Sequence, residues 1–196
     1  MTRIPSAPPE QLEDLSEELA LMTTAMGFEA NSLKVMAHKP AILRGFMALA
    51  GSILGPQSQL DRGLRQMIAY ITSAAAGCRY CQAHTSHSAE SAGIAVDKLE
   101  SLWLFESSDL FDERERSALS LALAAGQVPN MSSDEHFKRL EQHYTTEEIT
   151  EILAVIALFG FLNRWNDTLA TSLEERPAQF ATEHLTSSGW ELGKHG

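Results

Sequence analysis

Every stretch of this sequence with a regular apolar spacing repeats at three and four residues, and none alternates at two between hairpin turns. Leu64, Met67, Ile68 and Ile71 stand at i, i+3, i+4 and i+7 and line one face of a helix. A longer series follows Thr145-Thr146-Glu147-Glu148, a capping sequence, and carries Ile149, Ile152, Leu153, Ile156 and Phe159. A chain patterned in this way folds as an all-α bundle. Asp61 and Asp112 fit further N-caps, Ser132-Ser133-Asp134-Glu135 starts one more helix, and Gly27, Gly77, Gly93 and Gly126 fit stops. Pro8-Pro9-Glu10 reads as the entry to one helix through Leu12, Leu15, Leu19 and Met22, and Pro40 is placed to begin another. Gly55-Pro56 reads as a turn, and a short helix is expected from Val96 through Leu102 and Trp103. Trp103 and Trp165 are read as packing residues.

With 196 residues the chain is long enough to bury one core without staples. Its formal net charge of -11 and lack of a basic run argue against a nucleic-acid partner, because phosphate binding draws on clustered Lys and Arg. The strongly apolar stretch 152–162 is about half of what a bilayer span requires, so it reads as a buried helix and no membrane partner is expected. The first nine residues carry no apolar signal core, which points to a cytoplasmic, reducing location. Two cysteines make no disulfide scaffold; at Cys-x-x-Cys spacing in such a compartment they suggest redox or metal chemistry.

Those cysteines, Cys78 and Cys81, follow Gly77 and open a helix over 78–92. A thiol reacts as its thiolate, and the free amides and dipole of a helix N-terminus favour that anion. On that argument alone Cys78, at or near the N-cap, is the more activated of the two, with Cys81 in the first turn on the same face. His84 lies roughly 60° around the helix from Cys81, whereas His87 is nearly opposite Cys78, so His84 is the better proton carrier. Cys78, Cys81, His84 and His87 also make a Cys2His2 set. Four ligands within ten residues of one helix cannot readily surround an ion tetrahedrally, however, so neither a metal nor another cofactor is expected. Asn163, Arg164 and Asp167 read as groups that hold carbonyls or a neighbouring subunit.

The run Arg65-Gln66-Met67-Ile68 through Gly77-Cys78-Arg79-Tyr80-Cys81-Gln82-Ala83-His84-Thr85 to Ala92-Gly93 resembles the core of the carboxymuconolactone decarboxylase and AhpD-like superfamily. Met26-Gly27-Phe28, Met36-Ala37-His38-Lys39-Pro40 and Phe161-Leu162-Asn163-Arg164-Trp165-Asn166-Asp167 are similar to its peroxidase-related branch. The resemblance sets an N-terminal arm and helix at 1–26, an AhpD-like domain at 27–175 and a tail at 176–196. It implies a homo-oligomer, a trimer or hexamer, that reduces a small peroxide or disulfide at the expense of a thiol reductant. It also implies that Cys81 attacks and Cys78 resolves, against the helix-terminus argument. His84 would assist, with Gln66, Tyr80, Thr85 and His87 around it. Two positions depart from the family pattern. Gln66 stands where a glutamate is usual and cannot exchange a proton at neutral pH. Thr85 stands where the histidine is usual, one place after His84. The alternatives are a decarboxylase-like small-acid enzyme, with the cysteines as bystanders, and a non-catalytic oligomer that senses oxidants.

Overall fold

The computed structural model describes residues 2–196, and all regular structure among them is helical. In chain order the helices are α1 (Pro9–Asp14), α2 (Ser16–Met26), α3 (Asn31–Met36), α4 (Pro40–Leu54), α5 (Arg62–Ala75) and α6 (Arg79–Ser91). They are followed by α7 (Val96–Glu100), α8 (Glu113–Gly126), α9 (Asp134–Leu140), α10 (Thr146–Leu169) and α11 (Glu175–His184). The all-α expectation holds, and so do the caps. Asp61 accepts from the amides of Gly63 and Leu64, while Asp112 and Thr145 both complete capping boxes with a glutamate three residues on.

α5 is the axis of the bundle and packs against α6, α8 and α10. Met67, Ile68 and Ile71 are fully buried and Leu64 nearly so, each contributing about 1.5–3 kcal/mol of transfer free energy. Polar residues on the same helix are buried too. Arg65 donates from Nη1 to the carbonyls of Ile53 (3.2 Å) and Gly55 (2.9 Å), placing a cation at the C-terminal end of α4, where the helix dipole favours it. Glu151 of α10 accepts from Ser58 Oγ (2.6 Å) and from the amides of Gln59 and Leu60, and so fastens the α4–α5 loop to the long helix. Gly126 lets α8 come close to α5, since a Cβ there would lie 2.9 Å from Thr72 O and from Ala75 Cβ.

Three details differ from the sequence reading. The first helix is two, because the chain bends at Leu15, whose buried side chain turns into the core. Trp103 is about half exposed and is not a core residue, because it sits in the short 3-10 turn Leu102–Leu104, which buries Leu102 instead. Residues 176–196 carry more structure than a tail suggests: α11 packs along α6, and the turn Gly193–His195 also rests on α6.

Candidate active site

The link from α5 to α6 is short. Gly77 takes φ +75°, the left-handed conformation that favours glycine. Its amide donates to Ala74 O and the amide of Cys78 to Ser73 O, the two bonds of a Schellman ending. α6 then begins at once, with Cys78 as N-cap and Cys81 three residues into the helix. Both thiols are free and buried, and their side chains are near enough to hydrogen-bond.

The two sulfurs face different surroundings. Cys81 lines a cavity of about 550 Å³, and Cys78 does not. Phe46, Leu54, Phe159 and Leu162 give that cavity apolar walls, while His84, Thr85, Gln66 and Asn166 share it with Cys81. The Asn166 Nδ2 amide donates to Cys81 Sγ (3.6 Å), and its Oδ1 accepts from Thr171 Oγ1 (3.0 Å), which fixes the amide with its donor on the sulfur. Burial pushes the Cys81 thiol well above its ordinary value and the adjacent Cys78 adds to the rise, while Asn166 works against both. At rest Cys81 is therefore protonated, and its reaction requires a base.

His84 supplies an imidazole to that wall. Its ring stacks on Tyr80 (4.2 Å between centroids) and meets the edge of Phe28 (4.9 Å). The Nε2 of His84 donates to Glu174 Oε2 at 2.5 Å, so in the neutral ring Nδ1 is left as the proton acceptor. Glu174, at the N-cap of α11, also accepts from the Tyr80 hydroxyl (2.9 Å) and the Asn31 amide (2.5 Å). Burial alone would raise its carboxyl, but the bonds from His84 and Asn31 outweigh it and hold Glu174 below its ordinary value. Tyr80 is pushed the other way by burial and by the Glu174 charge, and remains a phenol.

The sequence-derived residues thus divide. Cys81, His84, Tyr80, Thr85 and Gln66 meet around one cavity. Gln66 brings no charge there, and Thr85 donates its hydroxyl to the Cys81 carbonyl (2.7 Å). His87 lies elsewhere, half-buried between Phe28 and Phe180, where desolvation lowers its pKa. Glu174 and Asn166 were not foreseen as site residues. Asp167, expected to hold carbonyls or a subunit, instead pairs with Lys194 Nζ at 2.8 Å and faces His195 Nε2 at 3.7 Å. Cys78, Asp167 and His195 offer ligand-type atoms within 4.8 Å of one another. The Lys194 ammonium already sits on that carboxylate, so the cluster is better suited to handling protons than to holding a cation.

A helical bundle with a Cys-x-x-Cys starting a central helix, its second thiol on a cavity beside a carboxylate-held histidine, defines the class. The sequence pattern of the carboxymuconolactone decarboxylase family matches residues 40–124. The chain is similar to the debrominase Bmp8, with 32% identity over 93% of this chain and 98% of that one and a TM-score of 0.86. A cysteine-to-alanine variant of Bmp8 in complex with 2,3,4-tribromopyrrole agrees equally well, at TM-score 0.86 and 32% identity over 93% and 97% of the two chains. The chain belongs to the carboxymuconolactone decarboxylase family. An AhpD-core, peroxidase-related protein from Ralstonia eutropha JMP134 shares the fold, with TM-score 0.80 and 24% identity over 92% and 95% of the two chains. Escherichia coli YnjA is 29% identical over 113 residues, which span 58% of this chain and 62% of YnjA. No helix among the described residues is long and apolar enough to cross a membrane.

Proposed function

We propose that this chain is a dithiol oxidoreductase that reduces a small, largely apolar electrophile, an organic hydroperoxide first of all. The observation that carries the reading is the placement of Cys81 on the apolar cavity beside the Glu174-held His84, with Cys78 behind it. His84 Nδ1 takes the Cys81 proton, and the thiolate attacks the outer peroxide oxygen. The O–O bond breaks, the alkoxide recovers the proton as an alcohol, and Cys81 is left as a sulfenic acid. Cys78 then attacks the Cys81 sulfur, forming the disulfide and releasing water, and an external dithiol restores both thiols. The Glu174 carboxylate holds the His84 ring and stabilises the transient imidazolium, a role that Gln66 cannot perform.

A second electrophile is favoured by the near full-length likeness to Bmp8: a halogenated aromatic ring. The electron count is the same. Cys81 takes the bromine as a sulfenyl bromide while the ring carbon gains a proton, and Cys78 displaces bromide to form the disulfide. The loss of two thiols per chain on treatment with an organic hydroperoxide, with recovery by a dithiol, would bear out the first reading. An unchanged thiol titre would overturn it. Bromide released from a bromopyrrole with the same loss of thiols would move the assignment to the second. A reducing compartment suits either cycle. The homo-oligomer implied by the family is supported by a groove that includes exposed Ile4, Ile42 and Phe161, which a second copy of the chain would cover. Sedimentation showing a monomer would remove that part of the reading.

A further inference from the structure

Cys78 is fully buried and lies off the cavity, so a proton leaving its sulfur needs an acceptor within the protein. The segment after α11 provides one. Trp190 is buried, donates from Nε1 to the carbonyl of Arg79 (3.1 Å) and anchors that segment on the first turn of α6. Further on, the amide of Leu173 donates to His195 O (2.8 Å), which brings the His195 ring, itself 1% exposed, beside Cys78.

The His195 tautomer is set by its surroundings. Nδ1 faces the Thr171 carbonyl at 2.8 Å, and a carbonyl only accepts, so Nδ1 carries the hydrogen. Nε2 is then a bare lone pair in the neutral ring, buried and without a hydrogen-bond partner. It faces a carboxylate oxygen of Asp167 at 3.7 Å, which would hold the ring once Nε2 takes up a proton. The groups around this point are Cys78 and, behind it, Cys81 and Tyr80 on α6, Asp167 on α10, and Lys194 on the segment itself. Of these, the Cys78 thiol is the donor that the geometry brings to Nε2.

We propose that His195, backed by Asp167, is the proton acceptor for Cys78 when that thiol closes the disulfide with Cys81; this rests on the dithiol reading above. The Cys78 S–H proton passes to Nε2, the sulfur bonds to Cys81, and the group on Cys81 leaves. The imidazolium is held by the Asp167 carboxylate and gives its proton back to that leaving group, or to solvent along the partly exposed Asp167. Burial lowers the His195 pKa from its ordinary 6.5, which keeps the ring uncharged and ready to accept at neutral pH. Acidification through that lowered value fills Nε2 and stops the transfer. His195 and His84 thus serve different sulfurs.

The test needs no peroxide turnover. The full-length protein is mixed with a chromogenic aromatic disulfide, which releases one dye thiolate when Cys81 is modified and a second when Cys78 attacks the mixed disulfide. The second phase is unimolecular and reports Cys78 alone. His195→Gln is expected to slow it by about a hundredfold at neutral pH and to remove the acid limb that His195 imposes on it, leaving the first phase unchanged. Asp167→Asn, which keeps the ring and its Thr171 bond, is expected to slow the second phase about tenfold and guards against a misfolded His195 variant. A second phase with wild-type rate and pH profile in either folded variant overturns the proposal. Hydroperoxide inertness with a His195-dependent second phase would instead overturn the proposed activity and leave this inference standing.

Discussion

Cys78 caps α6 and Cys81 lies in its first turn, yet the chain surrounds the two with different chemistry. Cys81 looks into an apolar cavity, takes a hydrogen bond from Asn166 and has the His84–Glu174 pair on its wall. Cys78 is sealed from that cavity and lies against His195 and Asp167. The motif itself is nearly symmetric; the division of labour comes from α10, α11 and the segment beyond them. The helix dipole favours the N-cap thiol, but cavity access decides which sulfur a substrate can reach, and here it selects Cys81.

The difference between the two thiols can be broken in stages. Cys81→Ser is expected to abolish hydroperoxide consumption, a loss of at least about a thousandfold, while Cys78→Ser consumes one equivalent and stops; peroxide assays with limiting and excess enzyme distinguish the two. Equal multiple turnover in both variants would erase the division.

Glu174→Gln comes next. It replaces the charge on His84 with a neutral amide and is expected to slow the Cys81 step by about a hundredfold while sparing the unimolecular Cys78 phase. The sign of its stability effect follows from its depressed pKa. Glu174 stabilises the fold fully above its ordinary 4.5, and that contribution is lost as pH falls through the lower folded value. Wild-type protein should therefore lose stability with acid over that window, and thermal melts of Glu174→Gln should lack that part of the slope.

Asn166→Leu removes the donor on Cys81 Sγ and leaves the Thr171 hydroxyl without its acceptor. A hydrogen bond to a charged group is worth about 1.5–3 kcal/mol, so the Cys81 thiol should titrate higher and the single-turnover rate at neutral pH should fall roughly tenfold or more. Ultraviolet titration of thiolate in the Cys78→Ser background reads the shift directly. His87→Phe is expected to do least. The ring sits between Phe28 and Phe180, away from both sulfurs, so activity should stay within about twofold of wild type and stability should hold or rise slightly, because a buried Nδ1 without a partner is removed. A large loss of activity would place His87 in the proton path.

Much of the scaffold was legible because its signals are local. Asp61, Asp112 and Thr145 cap helices through atoms within three residues, and Gly77 both ends α5 and frees the chain to start α6. Those short-range rules put both cysteines at a helix N-terminus, His84 on the side of Cys81 and His87 away from it. What escaped is long-range. Glu174 meets Tyr80 and His84 across about ninety residues of chain, and nothing around it in the sequence differs from an ordinary glutamate at the start of a surface helix. His195 lies in a stretch with no apolar period, and its burial depends on Trp190 docking on a carbonyl of α6. The substitution at Gln66 was visible as a missing carboxylate, but only the fold shows that another carboxylate stands on His84. Trp103 failed for the opposite reason: its size suggests core, but the 3-10 turn gives the buried position to Leu102.

The central claim is that Cys81 meets the substrate and Cys78 follows. Wild-type protein mixed with one equivalent of an organic hydroperoxide, quenched within the first turnover in the presence of a sulfenic-acid trap and mapped by mass spectrometry, tests it most directly. The account predicts the trapped adduct on Cys81 early and a Cys78–Cys81 disulfide later. An early adduct on Cys78 with Cys81 unmodified would contradict it.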